Sequence, residues 1–316
     1  MKRRALVTGG AGFIGSHVAD NYLAAGYDVT VVDDLSSGRE ENIPRAAEFV
    51  HADICSDEVR RLLEQAKFDV LNHHAAQMDV RLSVEDPSFD ARVNILGLLN
   101  LLEGARIGGT KRVVFASSGG VVYGESDDLP HPEHARKLPV SPYGVSKLTS
   151  EFYLAAYTQL YGMRCVALRY ANVYGPRQNP HGEAGVVAIF CNRINRGQQL
   201  TVFGDGGQTR DYVFVGDVAR ANMLATEWWA GDPETIDAAA FNIGTALETT
   251  VNELAQTLID AVGADVSIVH APERPGELRR SAVAIDRAAR DLSWTPETAL
   301  GEGLRQTYEW ITESKA

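Results

Sequence analysis

The stretch TGGAGFIGSH, Thr8 to His17, decides the fold. The apolar run Ala5-Leu6-Val7 leads into it, and a helical pattern, HVADNYLAAG, leaves it. A strand, a glycine-rich turn and a helix in that order form a phosphate cradle. Gly9 permits the tight turn, Gly12 presents bare backbone to a pyrophosphate, and Gly15 lets helix and strand pack closely. The helix start then offers unpaired N–H groups and a partial positive charge to the phosphates.

The next strand, YDVTVVDD from Tyr27 to Asp34, carries Asp33 near its end. Asp33 stands roughly 20 residues past the glycines, where an acid takes a ribose 2′-OH. A carboxylate there repels a 2′-phosphate, so the expected cofactor is NAD rather than NADP. Arg39 is the only nearby cation that could reverse this.

The 316 residues suffice for one large α/β unit with an appended lobe. The net charge of −12, with no basic stripe, argues against nucleic acid and anionic membranes as partners. Cys55, Cys165 and Cys191 lack metal-ligand spacing and read as reduced thiols of a cytoplasmic protein. The apolar run after Met1-Lys2-Arg3-Arg4 is too short for a secretory leader, and no membrane span is expected.

Further strands are expected at Glu48–Asp53, Phe68–Ala76, Arg112–Ser118 and Cys165–Tyr170, with helices over 57–66, 88–106 and 142–161. This alternation predicts an α/β fold, a doubly wound parallel sheet of the Rossmann type covered on both faces. Ligands then bind at the carboxyl ends of the strands. Asp53 and Ile54, His73 to Gln77, Ser117 and Ser118, and Asn172 fall there. Asp53 and Ile54 are candidates to edge an adenine. Adjacent His73 and His74 point to opposite sides of a strand, which argues against a metal site. After Gly175 turn residues dominate, and the second half reads as a smaller, interleaved C-terminal substrate lobe. The expected division is 1–170 for the NAD-binding domain and 171–316 mainly for the lobe. Segments near 213–231 and 241–247 are expected to pack back on the first domain.

SPYGVSK, Ser141 to Lys147, carries the chemistry. Ser141 suits a helix cap and Pro142 the first helical position. Tyr143 and Lys147 are four apart and share one helical face. A phenol with pKa near ~10 is a poor base at neutral pH. A neighbouring ammonium favours phenolate and brings it toward working range.

With these residues in view, the chain resembles the extended short-chain dehydrogenase/reductase family over nearly all its length. Within that family it is most similar to bacterial UDP-galactose (UDP-glucose) 4-epimerases. The resemblance implies a transient 4-keto sugar, with hydride passing to and from tightly held NAD. It implies Tyr143 as base, Lys147 as its electrostatic partner and ribose ligand, and a strand-five serine bonded to the sugar O4. Family members often read Ser-Ser-Ala-x-Val-Tyr-Gly, whereas this chain has SSGGVVYG. Counting from the strand end selects Ser118, with Ser117 in reserve. Counting back from Tyr123 selects Gly119, which has no hydroxyl.

The expected cofactor contacts are then Gly9, Gly12, Phe13, Ile14, Gly15, Asp33, Asp53, Ile54, Ala75, Ala76, Asn94, Ser117, Tyr143, Lys147 and Tyr170. Asn94 also matches the asparagine that supports the active-site helix. The sugar nucleotide is expected at Ser118, Tyr143, Asn172, Gly185, Val186 and Val187, with Arg210 and Arg274 pairing with its diphosphate. Arginine forks suit phosphate oxygens. Glu277 belongs to the same ERPGE motif, and Ser281 falls at the family's gate for the sugar C2 substituent. One gap would bring Arg280 or Ala282 there instead.

Dehydratase relatives place an Asp-Glu pair after the strand-five hydroxyl, where this chain has Gly119-Gly120. Regulatory relatives lose the tyrosine or the lysine, and this chain keeps both. UDP-glucose and UDP-galactose, together with their N-acetyl forms, lead as substrates. A UDP-glucuronate 4-epimerase, or another epimerase or dehydratase of the family, is the alternative. The resemblance also implies a homodimer through the helices of 88–106 and 142–161, which are apolar on more than one side.

Overall fold

The apolar runs of the first half become parallel strands separated by helices. The computed structural model describes residues 2–126, 128–179, 185–229, 231, 234–273 and 278–313. In chain order come β1 (Arg4–Thr8), α1 (Phe13–Ala24), β2 (Asp28–Asp33), β3 (Glu48–His51), α2 (Asp57–Ala66) and β4 (Val70–His73). Then follow α3 (Val80–Glu85), α4 (Pro87–Ala91), a π-helical turn (Arg92–Leu96), α5 (Gly97–Gly108), β5 (Arg112–Ser118), α6 (Pro142–Tyr161) and β6 (Arg164–Tyr170). The second half holds β7 (Asn172–Tyr174), α7 (Val186–Asn195), β8 (Leu200–Phe203), β9 (Thr209–Arg210), β10 (Tyr212–Phe214) and α8 (Val215–Glu227). It ends with β11 (Ala240–Ile243), β12 (Thr249–Thr250), α9 (Val251–Val262), β13 (Ile268–Ala271), α10 (Asp286–Asp291) and α11 (Leu300–Glu313).

Seven parallel strands form the main sheet in the order β11-β6-β5-β4-β1-β2-β3. From β1 the chain runs outward to β2 and β3, then returns to the other side of β1 with β4. The reversal opens a crevice at the carboxyl ends of β1 and β4, where ligands of such sheets bind. Helices cover both faces, so Ala5, Leu6 and Val7 are all fully buried and the strand reads as a continuous apolar run. Leu63, Leu98, Leu102 and Leu154 from α2, α5 and α6 form the core on one face. Val18, Ala19 and Tyr22 of α1 pack with Ala219 of α8 on the other. The strand FNIG returns to the main sheet, as β11 beside β6. A separate core lies in the lobe, around Tyr174, Phe190, Leu254 and Leu304.

The helix expected over 88–106 is interrupted. Asp86 caps α4 by accepting from the Phe89 N–H at 2.9 Å, and Pro87 takes its first position. The helix then widens to a π turn around Asn94 before α5 begins. The expected strands at 48–53 and 68–76 are shorter, ending at His51 and His73, because the chain leaves the sheet to line the crevice. The short α3 escapes periodicity: it is six residues long, capped by Asp79 and mostly exposed.

Candidate active site

The glycine turn joins β1 to α1 at the crevice. Gly9 has φ +68°, and a Cβ there would stand 2.5 Å from the Ala75 backbone nitrogen. A Cβ on Gly15 would reach 2.2 Å from the Gly9 carbonyl oxygen. Neither position tolerates a side chain, because both obstacles are backbone. Gly12 caps α1 without a side-chain hydrogen bond, and no acid occupies the first turn. The end of α1 therefore keeps its donors and its partial positive charge for a phosphate. Phe13 and Ile14, half-buried, begin α1.

Asp33 closes β2 beside this turn. Its carboxylate accepts from the Ala11 N–H at 3.0 Å and from the Leu35 N–H at 2.9 Å. Burial raises its pKa above the usual carboxylate range, and the two backbone donors oppose the rise. Gly38 leaves Asp33 space, since a Cβ there would lie 2.8 Å from Oδ1. A glycine cradle, an uncapped helix start and an oriented acid at the end of β2 fit a dinucleotide. Asp53 is exposed beyond β3, whereas Ile54 is buried against Gly97. Ala75 and Ala76 are half-buried where the chain leaves β4.

Tyr143 and Lys147 lie on the first turns of α6. Ser141 caps the helix, accepting from the Gly144 N–H at 3.1 Å, and Pro142 opens it. Tyr143 is half-buried and Lys147 buried. The Lys147 ammonium sits 5.7 Å from the Tyr143 ring centre and 4.7 Å from that of Phe115. It donates to the Ala116 carbonyl at 2.8 Å, which fixes the lysine to the end of β5. Burial lowers its pKa to about 8, with Asp90 and then Glu151 opposing the shift. His73 and His74 are held neutral by burial and by Lys147, His74 down to about 3. His73 bonds Thr8 Oγ1 at 2.7 Å and His74 bonds the Tyr170 hydroxyl at 3.2 Å. No group of three or more His, Cys, Asp or Glu able to hold a metal occurs among the described residues.

The serines at the end of β5 separate cleanly. Ser117 is buried and donates to Glu151 at 2.5 Å, on the side of the sheet that faces α6. That bond occupies the hydroxyl held in reserve. Successive strand residues face opposite ways, and Ser118 is half-buried at the strand end. At Gly119 a Cβ would meet Val283 Cγ1 at 2.8 Å and the Arg169 carbonyl at 3.2 Å. A serine at position 119 would have to displace Val283 and press on two backbone carbonyls.

Other candidates are engaged in structure. Asn94 spends its amide on the chain itself, accepting from the Gln77 N–H at 3.0 Å. It donates to the Gln77 carbonyl and to Asp90, each at 2.9 Å. Its own carbonyl accepts from Ser150 at 3.3 Å, so it does brace α6. Tyr170 is buried and its hydroxyl accepts from Asn222 at 2.8 Å. In the lobe, Asn172 begins β7 half-buried, Gly185 caps α7, Val186 is half-buried and Val187 belongs to the lobe core. Arg210 lies half-buried on β9 and donates to the Thr209 carbonyl at 2.7 Å. Arg274 and Glu277 lie outside the described residues, as does the 182–184 part of the GEAGVV stretch.

The three residues at the expected gate differ in their surroundings. Arg280 forks onto Glu248, and Ala282 is buried with its carbonyl accepting from the His131 N–H at 3.0 Å. Ser281 stands half-buried between them.

Tyr143, Lys147 and Glu151 recur every four residues on one face, and the third holds a buried charge pair. Glu151 forks onto Arg169, whose guanidinium is fully buried, with contacts of 2.6–3.2 Å. Arg169 also reaches Asp237 at 2.8 Å and the Tyr123 hydroxyl at 3.0 Å. An arginine inside the buried run CVALRY was the available signal, since a buried charge requires partners.

A family model described as the NAD dependent epimerase/dehydratase family matches residues 5–244. A UDP-glucose 4-epimerase of Mycolicibacterium smegmatis is 47% identical over 313 residues, covering 98% of each chain. A crystal structure of a UDP-glucose 4-epimerase with UDP-glucose, from Thermotoga maritima, is 45% identical with TM-score 0.93, covering 99% of this chain and 100% of that one. The Thermus thermophilus UDP-glucose 4-epimerase in complex with NAD is 43% identical with TM-score 0.89, covering 98% and 99%. From the glycine cradle to the Tyr143–Lys147 helix, and across nearly the full length of these relatives, the chain belongs to the NAD dependent epimerase/dehydratase family.

Proposed function

We propose that this protein is an NAD-dependent 4-epimerase that interconverts UDP-glucose and UDP-galactose. The observation that carries the reading is the single acid–base centre of the site. Tyr143 and Lys147 share one helix face, Ser118 ends the neighbouring strand, and Gly119-Gly120 stand where a dehydratase needs its acid and base. Relatives bearing the same activity in their names support it. NAD, when bound, supplies a reversible hydride acceptor. Gly9, Gly12 and Gly15 would hold its pyrophosphate, and Asp33 its adenosine ribose. Tyr143 takes the proton of the sugar C4 hydroxyl, and Lys147 stabilises the phenolate electrostatically. Ser118 donates to O4. The resulting 4-keto sugar turns about its diphosphate, and Tyr143 returns the proton to O4 of the inverted product. In the reaction's simplest test, protein supplied with NAD receives UDP-glucose, the products are resolved by NMR, and NADH is followed by absorbance. UDP-galactose is expected at constant cofactor oxidation state; net accumulation of NADH would instead mark a dehydrogenase.

The substrate range extends in this reading to the N-acetyl sugars, because Ser281 leaves room that a tyrosine ring would fill. Overlap with a packed wall costs about 1–3 kcal/mol. Ser281→Tyr should cut turnover of UDP-N-acetylglucosamine at least about tenfold, equivalent to ~1.4 kcal/mol, and spare UDP-glucose. Equal losses on both, or a wild type inert toward the N-acetyl sugar, would remove Ser281 from the gate.

We also infer a homodimer. Leu96, Phe152 and Leu160 are 59%, 58% and 70% exposed on the π turn and α6, a face too apolar to leave in water. Light scattering at micromolar protein should give twice 34.3 kDa, and a mass of 34.3 kDa would overturn the inference. No helix among the described residues is long and apolar enough to cross a membrane. Three free thiols, two of them buried, support a cytoplasmic location.

A further inference from the structure

Asp90 is fully buried on α4, yet the groups that contact it are neutral. Its Oδ1 accepts from Asn94 Nδ2 at 2.9 Å and from Gln77 Nε2 at 3.1 Å. Its Oδ2 accepts from Ser146 Oγ at 2.5 Å. Ser146 directly precedes Lys147 on α6. Glu151, the other acid facing Lys147, is already matched by the Arg169 fork and the Ser117 hydroxyl. Glu151 thus shares its charge with Arg169, whereas Asp90 makes no ion pair among the described residues.

We propose that Asp90 is a positioning residue for the acid–base pair, holding α6 through Ser146 and keeping Lys147 an ammonium through its buried charge. The inference rests on the reading of Tyr143 and Lys147 above. Lys147 is buried, and apart from the ring faces of Phe115 and Tyr143, which favour a cation, little around it offsets the loss of water. His73 and His74 are neutral, and the Ala116 carbonyl that accepts from it carries no full charge. The remaining ionisable neighbours are Tyr143 and Glu151 on its own helix. Arg81 of α3 and Arg92 of the π turn border α4 but are exposed to solvent. Asp90 thus adds a buried negative charge, held by neutral partners, that favours the ammonium of Lys147 and through it the phenolate. Asn94 and Gln77 hold Asp90 in turn, which gives the amide of Asn94 a purpose beyond bracing the helix.

Asp90→Asn separates charge from shape. Its Oδ1 can still accept from Asn94 and Gln77, its Nδ2 can donate to Ser146 Oγ, and Ser146 can turn its proton to the Pro142 carbonyl. The variant should fold and bind NAD. The half-titration of Lys147, read from its ¹³Cε resonance in the holoprotein, should fall by about one pH unit or more, as for loss of a close opposite charge. The alkaline limb of kcat should move down with it while KM for UDP-glucose stays, and Asp90→Glu should restore both. An unmoved Lys147 titration in folded Asp90→Asn overturns the proposal. If that variant does not fold, Asp90→Ser, which admits water to Asn94 and Gln77, takes its place with the same expectations. Failure of both to fold assigns Asp90 to the fold alone and also overturns it. The titration requires no turnover, so it tests Asp90 even if wild type fails to epimerise UDP-glucose, which would instead sink the underlying reading.

Discussion

Tyr143→Phe should abolish UDP-sugar turnover while the protein remains folded and retains NAD. The substitution removes one oxygen from a half-buried side chain at the start of α6. Ser141, Pro142 and the Lys147–Ala116 hydrogen bond fix that helix without the phenol. Nothing in the glycine cradle depends on it. The loss should therefore fall on kcat. Removing a general base typically costs about 10²–10⁴-fold, and the upper end applies where no second base stands by. His73 and His74 cannot replace it, because His73 is buried and bound to Thr8 and His74 is bound to Tyr170. Activity within a few fold of wild type would remove Tyr143 from the mechanism.

The largest stability effect should come from the buried charges behind the same helix. Arg169→Met leaves Glu151 at 1% exposure with the Ser117 hydroxyl but without its guanidinium. Breaking a buried pair by removing one partner costs about 3–5 kcal/mol. Glu151→Leu should cost less, because Arg169 keeps Asp237 at 2.8 Å. Replacing both together should recover part of the loss, since well-packed apolar residues often match a buried ion pair. Chemical denaturation of the three variants checks the order. An Arg169→Met protein as stable as wild type would show that Arg169 contributes nothing net. The two predictions also separate chemistry from support: one variant is stable and inactive, the other unstable and, where folded, active.

What the sequence disclosed and what it withheld follow from the range of the interactions. Gly9 and Gly15 were legible because their obstacles are backbone in a turn whose shape the spacing itself dictates. Tyr143 and Lys147 were legible because helical geometry joins residues four apart. Ser117 and Ser118 could not be ranked from the chain alone. Strand alternation says that they face opposite ways, but what distinguishes them is Glu151, 34 positions away, which takes the Ser117 hydroxyl. Asn94 fitted its motif, yet its partners Gln77 and Asp90 meet only because the π turn brings α4 against the end of β4. A π turn has no periodicity to read. Arg169 announced that it needed partners, and only the fold could say which.

Epimerisation through a 4-keto sugar requires that a hydrogen leave C4 and return to the same carbon's other face without meeting solvent. UDP-glucose deuterated at C4 tests it most directly. With the protein and its NAD in ordinary water, the label should remain at C4 of the UDP-galactose formed, as seen by ²H NMR. Galactose carrying solvent protium at C4 would contradict the account, because inversion would then proceed by loss and recapture of a proton at carbon.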